Sequence, residues 1–207
     1  MCLYFKENIP IIEREDLTKD LGECIVSEIS LKNKKICFVR IYRSPSQSSL
    51  EFDKFMNNLE SLLVKINNEK PSSIVFAGDF NARSPLFWDE EGTESAEGKT
   101  LADFMVANNL EQLINAPTHL PRENIATCID LILTDQPLSF VDSGVIPSPD
   151  PKCKHQIVHG MLNFNIPSPP KYKRKVWDYQ KGDFRNLRGI LARLNEINYL
   201  QTEQSMR

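Results

Sequence analysis

A short apolar run that ends in polar residues constrains the fold more than any other part of this 207-residue chain. Ser73-Ile74-Val75-Phe76-Ala77 is followed at once by Gly78-Asp79-Phe80-Asn81. A continuous apolar run of this length, starting just after a proline, is typical of a β-strand that is buried on both faces. Strands of this kind occur in sheets that are covered by helices or by a second sheet. We therefore predict that Asp79 lies at the end of a buried β-strand.

The segments before this strand predict a β-hairpin and an amphipathic helix. Apolar and polar residues partly alternate over Glu23–Leu31 and again over Lys35–Arg43, and Lys32-Asn33-Lys34 between them suits a tight turn. Ser48-Ser49-Leu50-Glu51 has the pattern of a capping box, and apolar residues follow at spacings of three and four up to Asn67-Asn68. The predicted order is therefore strand, strand, helix, buried strand.

A second helix and three more strands are predicted further along the chain. The helix has Leu101, Phe104 and Met105 on its apolar side and ends near Asn108-Asn109. The strands are predicted at Gln112–Asn115, Thr127–Thr134 and Gln156–Phe164. We assign residues 1–166 to one domain. Residues 167–207, which begin with prolines and a basic stretch at Lys171–Lys175, are assigned to a linker and a helical tail.

The overall composition favours a single, mildly acidic domain. Hydrophobic residues make up 41% of the chain, which is enough for one sizeable core. The net charge is −3, so any binding of a polyanion must depend on a local patch. The five cysteines contain no CxxC pair and fit neither a disulfide framework nor a zinc site, and no apolar run approaches membrane-spanning length. These features predict an intracellular protein with no membrane partner.

The residues after the buried strand suit the hydrolysis of a phosphodiester. Alternation along an extended chain places Asp79 and Asn81 on one side, at the rim of the sheet. A carboxylate there can orient or deprotonate a water molecule, and a carboxamide can hold that water or a phosphoryl oxygen. The alternative is an ordinary junction between a strand and a turn, where Gly, Asp and Asn are favoured for conformational reasons.

Three other segments carry candidate site residues. Tyr42 ends a strand beside Arg43, where both side chains can meet a phosphate, although an aromatic residue at a strand end is common for packing alone. Asp130 lies within an apolar strand, where an ionised carboxylate needs a partner or a metal. His155 opens the last strand and can be held by Asp130 while it contacts a phosphate, although a lone histidine is often structural. His159, four positions further on, is interpreted as structural.

The order of these motifs resembles the endonuclease/exonuclease/phosphatase superfamily, and more closely the apurinic-type endonuclease domains of non-LTR retrotransposons. The resemblance spans roughly Cys2 to Ile166. The motifs that carry it are Tyr42-Arg43-Ser44-Pro45, Ala77-Gly78-Asp79-Phe80-Asn81-Ala82, Asn115-Ala116-Pro117-Thr118, Thr127-Cys128-Ile129-Asp130-Leu131 and Cys153-Lys154-His155-Gln156-Ile157-Val158. Several motifs in one order are far more specific than any one of them.

The resemblance implies a four-layer α/β sandwich, with two mixed sheets packed face to face between helices. It implies Mg²⁺-dependent hydrolysis of DNA, leaving a 3′-hydroxyl that primes reverse transcription, and a reverse transcriptase domain downstream in the complete element. The site residues that it implies are Tyr42 on the phosphate, Asp79 on the attacking water, Asn81 on the transition state, Asp130 orienting His155, His155 on the scissile phosphate, and Thr127 lining the site. Arg43 remains a candidate for phosphate contact from its position beside Tyr42 alone. A nuclear location would follow for a functional element.

The chain departs from the family pattern in two places. The family has an asparagine-bearing strand and a strand ending in glutamate, its main metal ligand, before the first segment that matches here. The resemblance therefore implies an N-terminally truncated domain whose metal ligands are unknown, and Glu23 matches a structural glutamate and not this ligand. Lys154 also stands where the family usually has an aspartate. The alternative to an active endonuclease is thus an inactive remnant of the domain that binds DNA weakly.

Overall fold

In a computed structural model of the chain, the described residues are 9–18, 21–22, 24–31, 34–89, 93–122, 125–163 and 178–193. The chain divides into two compact units, residues 1–168 and 169–207. The helices of the first unit are α1 (Glu15–Thr18), α2 (Ser49–Asn68) and α3 (Ala96–Ala107). Its strands are β1 (Ile11–Glu13), β2 (Cys24–Leu31), β3 (Lys34–Tyr42), β4 (Ser73–Asp79), β5 (Glu111–Gln112), β6 (His119–Arg122), β7 (Ile125–Thr127), β8 (Asp130–Thr134), β9 (Phe140–Ile146) and β10 (Ile157–Leu162). In the second unit, residues 184–193 are helical.

Six strands form a mixed sheet in the order β1-β2-β3-β4-β8-β5. β2 and β3 pair antiparallel as the predicted hairpin, and β3 and β4 pair parallel, with α2 forming the crossover between them. β8 then pairs antiparallel with β4. The register sets Tyr42 beside Asp79, and Asp79 beside Asp130. Three predicted site residues therefore lie on adjacent strands at one end of the sheet.

The two longer helices supply much of the hydrophobic core. α2 begins with the predicted capping box, in which Ser48 and Glu51 each accept a hydrogen bond from the other's backbone N–H. Its buried residues are Phe52, Phe55, Met56, Leu59, Leu62, Leu63 and Ile66. In α3, the ring of Phe104 packs edge-on against Phe76 of β4, with centroids 6.1 Å apart. Both predicted helices are therefore confirmed, and α3 covers one face of the central sheet.

Smaller strand pairs lie on the opposite side of the sheet. β9 pairs with β10 and β6 with β7. Gly160 of β10 approaches Ile132 of β8 so closely that an added Cβ would lie 3.3 Å from its Cδ1. Ile132 and Phe76 point to opposite faces, because Ile132 pairs with Ala77, the residue after Phe76. The predicted α/β sandwich is confirmed, with these strand pairs forming its second β layer among the described residues.

The predicted strand Thr127–Thr134 was wrong in its continuity, because the chain leaves the strand at Cys128 and Ile129. Side-chain oxygens accept hydrogen bonds from the backbone N–H groups there. Cys128 N–H donates to an oxygen of Asp89, and Ile129 N–H donates to Thr118 Oγ1. Asp130 therefore begins β8 and does not lie inside a strand.

The predicted strand at Gln112–Asn115 is shorter than expected. Gln112 bonds through its side-chain amide to both backbone groups of Ile114, which closes a local loop after β5. The predicted strand Gln156–Phe164 corresponds to β10, and its last residue lies outside the described residues.

The described thiols agree with the expectation of unpaired cysteines. Cys24, Cys37, Cys128 and Cys153 are free, and burial raises the pKa of the first three to about 12. Within the described residues, no helix has both the length and the apolar character needed to cross a membrane. The turn at Lys32-Asn33, Glu23 and the basic stretch at Lys171–Lys175 lie outside the described residues.

Candidate active site

Asp79, Asp130 and His155 form a compact cluster at the end of the central sheet. One ligand atom from each residue lies within 4.8 Å of the others. Asp79 comes from the end of β4, Asp130 from the start of β8, and His155 from the segment just before β10. Burial, followed by the negative charge of Asp130, raises the pKa of Asp79. The structure thus brings together three residues that are separated by up to 76 positions in the sequence.

Asp130 orients the imidazole of His155. His155 Nδ1 lies 3.0 Å from Asp130 Oδ2 and 3.3 Å from Oδ1. With Nδ1–H directed to the carboxylate, Nε2 is the ring nitrogen that remains for another group. The His155 side chain is 41% exposed, whereas that of Asp130 is 18% exposed. The pair can therefore present a fixed imidazole nitrogen at the protein surface.

Asn81 does not project from the strand as alternation predicted. β4 ends at Asp79, and Asn81 adopts a left-handed backbone with φ of 46°. The carboxylate of Asp79 accepts the backbone N–H of Asn81 at 3.0 Å, which closes a turn that asparagine tolerates well. The Asn81 amide donates to the Arg43 carbonyl at 2.8 Å. The motif therefore forms a turn, as one interpretation expected, and it also carries Asp79 into the cluster, as the other expected.

Arg43 is a correction to the expected phosphate contact. Its side chain is buried, with 3% of the residue exposed. Nε donates to the Phe80 carbonyl at 2.6 Å, Nη2 donates to the Asn81 carbonyl, and Nη1 donates to the Ser44 carbonyl. The guanidinium also lies 5.3 Å from the ring centroid of Phe52, and burial lowers its pKa. Arg43 therefore holds the turn that carries Asn81 and is not available to a phosphate in this arrangement.

Gly78 is required by the close approach of two strands. Its φ is 147°, a conformation that L side chains rarely adopt. A Cβ at this position would lie 1.9 Å from the carbonyl oxygen of Ile41 on β3. The glycine before Asp79 therefore lets β4 approach β3 closely at the point where the site begins.

Tyr42 and Thr127 lie at the borders of the cluster. Tyr42 is 41% exposed and lines the same cavity as Asp79 and Asp130. Thr127 Oγ1 lies 3.5 Å from His119 Nδ1, and the His119 ring is 4.5 Å from the His155 ring, centroid to centroid. Thr127 thus reaches the cluster through a second histidine.

Two residues that support the cluster were not among the predicted site residues. His119 packs against His155 with its ring tilted, and burial, followed by the charge of His155, lowers the pKa of His119. Thr118 is fully buried, and its Oγ1 accepts the backbone N–H groups of Ile129 at 3.0 Å and Asp130 at 2.9 Å. Neither role has a local sequence signal, because each depends on a contact with a distant segment.

A cavity of about 360 Å³ opens beside the cluster. Its polar walls are formed by Arg40, Tyr42, Asp79, Asp130 and Gln156, and its apolar walls include Ile132 and Val158. The cavity therefore connects the carboxylates to the sheet face between β3, β4 and β8.

The cluster is suited to a hard divalent cation. Two carboxylates a few ångströms apart repel each other, and the raised pKa of Asp79 reflects this repulsion together with burial. A cation between them would relieve the repulsion. Mg²⁺ commonly uses one or two carboxylates and completes its octahedron with water and substrate oxygens. Asp79 and Asp130 are therefore the residues that would hold such an ion.

Comparison with solved structures defines the class of fold. The endonuclease domain of TRAS1, a telomere-specific non-LTR retrotransposon, matches with a TM-score of 0.64 and 17% identity, covering 77% of this chain and 71% of that one. A 3′-5′ exonuclease from Neisseria meningitidis matches with a TM-score of 0.53 and 13% identity, covering 75% and 72%. A 3′ phosphatase from Neisseria bound to a DNA hairpin gives 0.52 and 13%, covering 74% and 70%. The fold is thus that of the endonuclease/exonuclease/phosphatase superfamily.

A family model gives the more specific assignment. Residues 36–159, more than half of the chain, match the model described as endonuclease-reverse transcriptase. The chain belongs to this family, and the matched region contains Tyr42, Asp79, Asp130 and His155. No curated protein sequence matches the chain.

Proposed function

We propose that this chain is the hydrolytic part of an endonuclease that cleaves DNA phosphodiesters with the help of Mg²⁺. The observation that carries the proposal is the cluster of Asp79, Asp130 and His155 within 4.8 Å at the end of the sheet. A base, an oriented imidazole and a cation site are the groups that phosphodiester hydrolysis requires. The family match and the DNA-related activities of the similar structures support this choice of substrate.

The chain's own residues divide the chemistry between them. Asp79 orients the attacking water and accepts its proton. The imidazolium form of His155 would donate Nε2–H to a phosphoryl oxygen while Asp130 accepts its Nδ1–H. Tyr42 would donate its hydroxyl to the same phosphate, and Asn81 would keep the turn after Asp79 in place. When bound by Asp79 and Asp130, Mg²⁺ would neutralise charge on the phosphoryl oxygens.

The wider assignment follows the family. We propose residues 1–166 as the hydrolase domain, DNA as its partner, and a reverse transcriptase domain downstream in the complete element, which would act in the nucleus. Cleavage would leave a 3′-hydroxyl from which reverse transcription starts.

The second candidate is an inactive remnant that retains weak DNA binding. Asp130 already pairs with His155 Nδ1, and the Asp79 carboxylate already accepts a backbone N–H, so a cation would have to share both carboxylates with these donors. A cation site with only two carboxylates depends strongly on substrate oxygens. This candidate predicts salt-dependent binding of duplex DNA without cleavage.

A plasmid-nicking assay with and without Mg²⁺ distinguishes the two. We expect the wild-type chain to nick supercoiled DNA, and Asp79→Ala and His155→Ala each to lower the rate by about 100-fold or more. His159→Ala is the matched control, because His159 is paired with Asp142 outside the cluster. Wild-type protein as inert as both variants would exclude the endonuclease proposal, and DNA binding under those conditions would favour the remnant.

A further inference from the structure

Arg40 projects from the same sheet face as the candidate site residues. It lies two residues before Tyr42 on β3, so the two side chains share one face of the strand. Arg40 lines the 360 Å³ cavity together with Asp79 and Asp130. At about 3.3 Å per residue, the positions of Arg40 and Tyr42 are separated by roughly 7 Å along β3. The wall of the cavity therefore contains a positively charged side chain that lies away from the Asp79–Asp130–His155 cluster.

The guanidinium of Arg40 has donors without acceptors. Nε and Nη1 are buried and have no hydrogen-bond partner among the residues that the structure describes. The ion pairs found within the described ranges also leave out Arg40. Arg43, three residues further on, is a buried residue whose guanidinium donates to three carbonyls. Among the described residues, Arg43 therefore finds acceptors, and these two donors of Arg40 do not.

We propose that Arg40 and the cavity beside it form a phosphate-binding subsite. Burying guanidinium donors without acceptors costs free energy of folding. An oxyanion that enters the cavity would supply the missing acceptors. The planar guanidinium offers parallel N–H donors that match two oxygens of a tetrahedral phosphate. The cavity is also much larger than the volume of roughly 30 Å³ that one water molecule takes up in the liquid, so an esterified phosphate has room.

The position of Arg40 indicates which phosphate it would hold. Successive phosphates of one DNA strand advance about 3.4 Å along the helix axis and also wind around it, so a site roughly 7 Å from Tyr42 is too distant to share its phosphate but can reach a neighbouring one. Arg40 would therefore bind a phosphate other than the one next to Tyr42 and the cluster. The subsite takes either a neighbouring phosphate within the strand or the terminal phosphate of a strand end. That this phosphate belongs to DNA rests on the proposed function. Binding of phosphate itself can be measured without cleavage.

Titration of the full chain with inorganic phosphate, in the absence of divalent metal, tests the subsite. We expect saturable binding with a Kd on the order of 1 mM, observed by calorimetry and by shifts of the arginine side-chain N–H signals in NMR spectra. Arg40→Met should weaken binding by roughly tenfold or more, because it keeps an unbranched apolar side chain but removes the charged donors. Lys65→Met, which removes an exposed cation from α2, should leave the affinity unchanged.

Oligonucleotides distinguish the sources of the phosphate. Tighter binding of a short strand with a terminal phosphate than of the same strand with a terminal hydroxyl assigns the subsite to strand ends, and equal binding assigns it to internal phosphates. In either case the affinity should fall in Arg40→Met. Circular dichroism shows whether that variant is folded, and Arg40→Gln replaces it if it is not.

The proposal is overturned if the wild-type chain shows no saturable binding of phosphate, or if a folded Arg40 variant binds as tightly as the wild type. Failure of the proposed function gives a different result. If the chain binds phosphate through Arg40 but does not nick DNA, the subsite proposal stands and the endonuclease proposal is rejected. If the chain nicks DNA but binds phosphate independently of Arg40, only the subsite proposal is rejected.

Discussion

At the scale of single residues, Asp79 shows how a candidate catalytic group lowers the stability of the fold. Burial and the charge of Asp130 both raise the pKa of Asp79 above its usual value of 3.8. The folded state therefore binds this proton more tightly than the unfolded state does. Stability falls as pH rises from about 3.8 through the raised pKa, and the full cost is present above it. An ionised Asp79 is thus tolerated at neutral pH at the expense of stability.

Asp79→Asn should accordingly stabilise the protein at pH 7 while abolishing cleavage. The amide keeps the shape of the side chain and can still accept the Asn81 N–H, but it carries no charge. The gain in unfolding free energy should shrink as pH falls and disappear below about 3.8. Urea unfolding over a pH series from 7 to 3 measures this dependence. Asp103→Asn, at an exposed position of α3, serves as the control, and a gain for Asp79→Asn that does not change with pH would contradict the explanation.

The two arginines show what residue type alone leaves undecided. Arg43 was expected at a phosphate because it adjoins Tyr42, but its donors are bonded to carbonyls of the turn after β4. Arg40 was not predicted as a site residue, because it lies within the alternating pattern of a strand. The difference depends on which acceptors a distant segment brings within reach, and one sequence does not contain that information.

At the scale of elements, the entry into β8 depends on one threonine. Thr118 Oγ1 accepts the N–H groups of Ile129 and Asp130, just where the predicted strand is interrupted. The Thr118 backbone also pairs with Thr127 and Gln156, so the same residue links the segments that carry Asp130 and His155. This link explains why Asp130 points toward His155 at the start of the strand.

Thr118→Val should therefore destabilise the protein and disturb the site together. The valine has nearly the same shape, but it leaves two buried N–H groups without an acceptor, at a cost of about 2–4 kcal/mol. Thr118→Ser keeps the hydroxyl and should cost much less. Urea unfolding measures the stability, and the NMR signals of the His155 ring report on its contact with Asp130. Equal stabilities for the valine and serine variants would show that the hydroxyl is not needed.

Elements with strong local signals were predicted well, and short ones were not. The hairpin, α2, α3 and β4 were predicted because capping, turn residues and apolar spacing act within a few residues. β1, β6 and β9 were not predicted. None of the seven residues of β9 is fully buried, so it lacks the apolar pattern from which a buried strand is predicted. Its pairing with β10 comes from tertiary contacts.

At the scale of the whole molecule, the first unit contains its own hydrophobic core. The core residues of the described chain extend from Leu17 to Leu133, and the partly buried residues that pack against them extend to Val158. All of them lie within residues 1–168. A unit with a complete core is expected to unfold cooperatively by itself.

Residues 1–168, expressed alone, should therefore fold and keep the phosphate affinity proposed for Arg40. We expect a single urea transition whose midpoint is close to that of the main transition of the full chain. Chain 1–128, which ends before β8, is the control and should not unfold cooperatively, because β8 pairs with β4 in the centre of the sheet. A fragment 1–168 without a cooperative transition would show that the remaining residues are needed for folding.

The class of fold, the order of the main elements and the candidates Asp79, Asp130 and His155 could all be predicted from the sequence. They could be predicted because burial leaves a local periodic pattern and because several motifs occurred in one order. The sequence did not predict that β8 begins at Asp130, that His119 packs against His155, or that Arg43 finds acceptors among the described residues while Nε and Nη1 of Arg40 do not. Each of these outcomes depends on hydrogen bonds or ring contacts between residues far apart in the chain, whose distances no local pattern encodes.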